Sequence, residues 1–196
     1  HPGFPVTEVD LTSRDVWVTN GEQLLGGRLN TQIDELNGAV TAASPNFDVL
    51  QDGDTLFLVD PDNRRLESVD PASTSITSSV DLPADAQVSY GGRVLAVVAD
   101  GDVWALPAVG DLRLDTVSTE PLLELGEGGR AVVTGDGEIV AVSPSEKKLY
   151  RIANLAEAPV ESGFTSFGDA QIAAIGDRVV LLDETTNELN TDSGAR

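Results

Sequence analysis

Short apolar runs recur along this chain, each bounded by glycine, aspartate, proline or asparagine. The clearest are LFLV at 56–59, VLAVV at 94–98, IVAV at 139–142 and VVLL at 179–182. Their length and their branched residues predict β-strands, and their lack of alternation predicts strands covered on both faces. The stretch SITSSVDL at 75–82 alternates instead, with Ile76, Ser78, Val80 and Leu82 on one face, which predicts a half-exposed strand. The segments GD, PDNR, DGD, GDG and SPSEK between the runs are turn formers. No long helix fits this pattern, so the chain is expected to be all-β.

The pattern also repeats. A glycine precedes each long run: Gly53, Gly92, Gly137 and Gly176, at steps of 39, 45 and 39 residues. A more degenerate copy, DVWVTNGEQLLGGRLN, occupies 15–30. A period near forty with several strands per unit is the mark of propeller blades, whose inner strands are covered on both sides by their neighbours. The expectation is a single β-propeller-like domain over 1–196. Its five antiparallel blades fall near 15–45, 47–83, 86–126, 129–167 and 169–192.

FPVTEVDLTSRDVWVTNG lines up with SITSSVDLPADAQVSYGG, so residues 5–11 resemble an outer strand that stands before the first strand of a blade. The last unit lacks a clear outer strand of its own. Joining the two would close a small ring and remove its free edges. The other reading is that residue 196 lies within a larger propeller and further blades follow it.

Composition narrows the partners. The chain of 196 residues is 40% hydrophobic and has no cysteine, which leaves out disulfides and cysteine-ligated metals. Against 33 acidic residues stand 12 basic ones, a net charge of −21. That charge opposes contact with nucleic acid or an anionic membrane. No run is long enough to span a bilayer. The opening HPGFP carries no methionine, and the sequence is expected to be a mature or excised portion of something longer.

Candidate chemistry is sparse. The one histidine is His1, which leaves no residue for a Ser–His–Asp arrangement within the repeats. GEGGRAVVTGDGE at 126–138 lacks the spacing of a phosphate loop and reads as a connection between blades followed by a hairpin turn. Paired carboxylates are plentiful: Asp52 and Asp54, Asp60 and Asp62, Asp100 and Asp102, Asp136 and Glu138. All sit in turns, where aspartate caps its own backbone, so they are expected to be structural. A glycosidase would need two of them facing each other across a sugar. Calcium at these acidic turns is the one cofactor worth considering, although in DPDNRRL at 60–66 the three oxygen side chains are followed at once by Arg64 and Arg65. Trp17 and Trp104 lie inside strand runs and are expected in the core; FTSFG at 164–168 is the one loop-like aromatic cluster. No catalytic, cofactor-binding or metal-ligating residue is assigned, and an enzyme is not expected.

VWVTNGEQLLGGRLN at 16–30 is similar to the YVTN-type repeat of bacterial surface propellers. The longer run through FDVLQDGDTLFLVD resembles the propeller region of large actinobacterial envelope proteins, in which fibronectin type III or other Ig-like domains follow. That resemblance implies an extracytoplasmic protein bound to the cell envelope, attached to the membrane only through a tether outside this chain, and carries no catalytic residues over. The expected role is a non-catalytic module that binds a protein or a cell-wall glycan. A purely structural spacer and, more remotely, a carbohydrate-active hydrolase are the alternatives.

Overall fold

In a computed structural model of the chain, the described residues are 15–31, 35–163 and 170–192. They form five antiparallel sheets in chain order, each strand pairing with its sequence neighbour. Blade 1 holds β1 (Asp15–Asn20), β2 (Leu25–Asn30) and β3 (Glu35–Thr41). Blade 2 holds β4 (Asp48–Asp52), β5 (Thr55–Asp60), β6 (Arg65–Asp70) and β7 (Ser75–Asp81). Blade 3 holds β8 (Gln87–Gly91), β9 (Val94–Ala99), β10 (Asp102–Pro107) and the short β11 (Leu123–Glu124). Blade 4 holds β12 (Arg130–Val133), β13 (Ile139–Ser143), β14 (Lys148–Ile152) and β15 (Val160–Gly163). Blade 5 holds β16 (Ala170–Ile175), β17 (Arg178–Asp183) and β18 (Glu188–Asp192). The helical content of the described residues is one 3-10 turn, Gly21–Gln23, and no helix among them is long and apolar enough to cross a membrane. The all-β propeller architecture with about five blades is therefore present.

The continuous apolar runs are explained by where alternate side chains go. In β5, Leu56 and Leu58 pack toward blade 1 with Trp17 and Val40, while Phe57 packs toward blade 3 with Leu95 and Val97. In β13, Ile139 and Ala141 join the core shared with blade 3, while Val140 and Val142 join those shared with blade 5. A strand between two sheets has no solvent side, so polar residues at either set of positions would be buried without partners.

Hydrogen bonds also tie each blade to the next near the first strands. Trp17 N–H donates to Gln51 Oε1 (3.3 Å), Gly92 N–H to Asp52 Oδ2 (3.0 Å), Val133 N–H to Ser89 Oγ (2.9 Å), and Gly135 N–H to the Gly176 carbonyl (2.6 Å). Blades 3 and 4 approach so closely here that a Cβ on Gly91 would collide with the Thr134 carbonyl.

The strand phase of blade 1 differs from the expected one. A bulge between Arg28 and Leu29 recurs between Ser68 and Val69, forty residues on. Leu24 and Arg64 share a positive φ, and the bond from Ala42 N–H to the Leu24 carbonyl recurs from Leu82 to Arg64. Hence β1 corresponds to β5, the second strand of a blade, rather than to a first strand. The alignment of two VDL segments suggested otherwise because three residues carry too little information to set a register. Residues 5–11, the candidate ring-closing strand, lie outside the described residues.

The bulge also divides the face expected for SITSSVDL. Val80 stands opposite Leu66 and joins the core toward blade 3, whereas Ile76 stands opposite Val69, which packs toward blade 1. One extra residue in a strand reverses the side every following residue faces.

Candidate functional site

Several of the turn carboxylates are committed to the fold, whereas Asp54 lines the cleft described below. Asp60 is buried and accepts from Ser44 Oγ (2.8 Å), Asn63 N–H (3.0 Å) and Asn63 Nδ2 (2.8 Å). Burial acts to raise its pKa, but the bonds from Asn63 and Ser44 outweigh it and hold the carboxyl below its ordinary range. The same repeat position caps the same turn elsewhere. Asn20 accepts from Gln23 N–H, Ser143 from Glu146 N–H, and Asp183 from Thr185 and Thr186 N–H. Asp62 accepts from Asn46, and Asp136 from the Thr134 hydroxyl. Among the described residues, no three histidine or acidic side chains gather where they could hold a metal ion. The aromatic cluster at 164–168 lies outside the described residues. Trp17 is in the core between blades 1 and 2 as expected, whereas Trp104 is half-buried and its indole N–H donates to the Thr119 carbonyl.

The residues that do converge lie at the end of the propeller carrying the turns between first and second strands and between third and fourth. Between blades 2 and 3 a cleft of about 400 Å³ opens there. Phe57 lies at its floor, Asp54 and Asp70 stand on the blade 2 side, and Arg93 stands on the blade 3 side. A third wall comes from 108–112, the start of the connection from β10 to β11.

This connection, 108–122, is where the repeat is broken, and it accounts for the 45-residue step between Gly92 and Gly137. It is ordered by its own contacts. Ala108 and Leu112 are buried against Phe57, Leu66 and Leu106. Asp115 Oδ1 accepts from Val117 N–H (3.1 Å) and Ser118 N–H (2.9 Å), bonds that hold its carboxyl below the ordinary range. Val109 and Val117 are left 57% and 94% exposed.

Two features set the electrostatics beside the cleft. Asp70 accepts from the Ser73 hydroxyl and from Ala72 N–H, so its carboxyl is held low and stays ionised. Tyr90 packs edge-on to Phe57, with ring centroids 4.9 Å apart, and burial pushes its phenol up. No carboxylate lining this cleft is desolvated in the manner of a general acid. Among the described residues, the carboxyl that burial raises on balance, Glu67, lies on β6, on the strand face opposite Leu66. Sequence reasoning missed the cleft. Its only signal was the longer step, which reports an insertion without saying where the added residues pack.

The sequence matches no protein-family model and no curated protein. Its fold does match solved structures. The β-propeller domain of Cps50 (Swd1) from Myceliophteria thermophila is 10% identical at a TM-score of 0.55, over 87% of this chain and 63% of that one. Virginiamycin B lyase from Staphylococcus aureus is 14% identical at 0.52, over 91% and 66%. The dihydro-heme d1 dehydrogenase NirN is 10% identical at 0.57, over 97% and 46%. The chain thus spans between about half and two thirds of the length of these proteins. Identities this low show the fold alone, and they correct one expectation. Two of the three are named as enzymes, so the lack of a recognisable catalytic motif does not make this chain a non-enzyme. The physical reason is that a propeller supplies a rigid frame, and chemistry is placed on its loops by residues that need follow no shared motif. The similarities establish a β-propeller protein.

Proposed function

We propose that this chain is a recognition module of a bacterial envelope protein, placed outside the cytoplasm, that binds a protein partner at the blade 2–blade 3 cleft. The observation that carries the reading is the ordered connection 108–122, which departs from the repeat, holds the exposed Val109 in the wall of the cleft and leaves Val117 in solvent farther along. Exposed apolar residues on a pre-organised loop favour association, because little ordering entropy remains to be lost on binding. A protein fits better than the cell-wall glycan also considered from the sequence. Phe57, the one aromatic side chain lining the cleft, is buried and offers no face on which a sugar ring could stack. The envelope setting rests on the resemblance of residues 16–30 to bacterial surface propellers.

The test is saturable binding of the labelled chain to isolated Gram-positive cell walls, before and after protease treatment. A variant with 113–120 replaced by a short Gly-Ser turn is run in parallel. Binding to untreated walls, lost on protease treatment and lost in the variant, is the expected result. Binding that survives protease would move the partner to the glycan. Absence of binding in every arm would leave the spacer role as the better account.

A further inference from the structure

The correspondence of strands across the repeat allows one groove to be compared at two successive blade boundaries. At the bulge, Arg28 of blade 1 stands opposite Gly38, and Ser68 of blade 2 stands opposite Ser78. Ser68 shares its strand face with Leu66, which packs toward blade 3, and Arg28 holds the same position one blade earlier. From there Arg28 reaches across to blade 2, where its Nη1 donates to the Pro71 carbonyl (2.6 Å). Pro71 is the first residue after β6, and its counterpart after β10 is Ala108. The next boundary therefore has Ser68 in place of Arg28 and Ala108 in place of Pro71, and both line the open cleft of about 400 Å³. Where an arginine side chain crosses between blades 1 and 2, the same place between blades 2 and 3 is left open.

We propose that this cleft receives an arginine side chain of the protein partner, entering where Arg28 crosses one blade earlier. The inference rests on the reading of the cleft as the partner site and adds the chemistry of the anchor. A guanidinium carries donors only, in a planar fork, so it needs oxygen acceptors on the walls around it. Asp54 and Asp70 supply carboxylates, and Ser68 and Thr77 supply hydroxyls. The net charge of −21 draws a cation toward the chain. Arg93, the cation lining the cleft, opposes a second one, so it limits affinity rather than providing it. Lysine has the charge without the fork, which makes it the discriminating comparison.

The experiment is a titration of the isotope-labelled 196-residue chain with N-acetyl-arginine-N-methylamide and with its lysine counterpart, followed by amide shifts in NMR. The expected result is saturable shifts at Thr77, Val109 and Gly110, several-fold weaker for the lysine probe. Arg93→Asn, at a positive φ that asparagine tolerates, is expected to tighten binding about threefold, and Asp54→Asn to weaken it about as much. Asp177→Asn, exposed in the matching turn of blade 5, makes the same change of net charge as Asp54→Asn and is expected to leave binding unchanged. Ser68→Arg with Ser78→Gly copies the Arg28–Gly38 pair and is expected to abolish probe binding and attachment to cell walls. Arg93 and Asp54 are exposed, so their opposite effects are readable even if that double variant does not fold. No shift at the cleft, equal affinity for the two probes, or full binding by the folded double variant overturns the proposal. Wall attachment that is equal in parent and double variant keeps the recognition reading and overturns the arginine anchor. A probe bound at the cleft by a chain that attaches to no wall supports the anchor and removes the envelope reading.

Discussion

Blades 2 and 3 contain the same four strands in the same order, and they part company after the third. Blade 2 crosses from β6 to β7 through residues 71–74, a tight turn with Thr74 at positive φ. Blade 3 uses 108–122 for the same crossing. The first part of that segment turns back into the groove, where Ala108 and Leu112 fill space beside Phe57; farther on, Leu114 and Leu122 pack on the adjoining cores while Val117 stands in solvent. The difference teaches where this repeat is constrained. Second strands are pressed between two neighbours and tolerate neither polarity nor a change of volume. The outer connection meets a neighbour on one side at most, and loop length costs little there.

That contrast predicts a graded series of effects. Phe57→Ala, in the shared core of the two blades, is expected to lose about 3–5 kcal/mol in urea unfolding. A loss below about 1 kcal/mol would mean the interface is loosely packed. Asp60→Ala strands the Asn63 and Ser44 donors and is expected to cost about 1–3 kcal/mol at neutral pH. Because the folded carboxyl of Asp60 is held below its ordinary 3.8, its stabilisation is present above that pH and is lost as pH falls through the folded value. The penalty of the variant, followed by thermal unfolding, should therefore shrink below about pH 4.

Glu67 has the reverse sign. Burial, reinforced by Asp60 and offset by Arg65, raises its pKa above the ordinary 4.5, so the charged form at neutral pH weakens the fold. Glu67→Gln is expected to raise the melting temperature at pH 7 by about 2–4 °C, if the gain is near 1 kcal/mol, and to leave it unchanged below pH 4. Val117→Ser, on the exposed part of the long connection, should stay within about 0.5 kcal/mol while weakening attachment to cell walls.

Much of the frame was legible in the chain. The runs at 56–59, 94–98, 139–142 and 179–182 lie within β5, β9, β13 and β17, because a strand buried on both faces has no freedom to alternate. The glycines before them were visible too, and Gly53, Gly92 and Gly176 do take positive φ in the tight turns between first and second strands. The phase of blade 1 was not legible. Its second strand reads DVWVTN and its third LGGRLN, and the features that identify them, a bulge and a backbone bond from Ala42 to Leu24, are pairings rather than residue types. The cleft was invisible for a related reason. Asp54, Asp70 and Arg93 are spread over forty residues, and nothing in their types distinguishes them from other turn residues.

What the sequence determined by itself was everything that depends on neighbours along the chain: strand length, the apolar character of both faces, turn sites, and the period near forty. These follow from backbone geometry and burial, which act locally and repeat with the unit. What only the tertiary structure decided was everything that depends on the neighbouring blade. It determined which turn aspartates are tied up as caps, that residues 108–112 wall a cleft against blade 2, and that Arg28 crosses one blade boundary at a place left open in the next. The physical reason is that a blade's pattern specifies a face to be covered, while only the packing of sheet on sheet specifies what covers it.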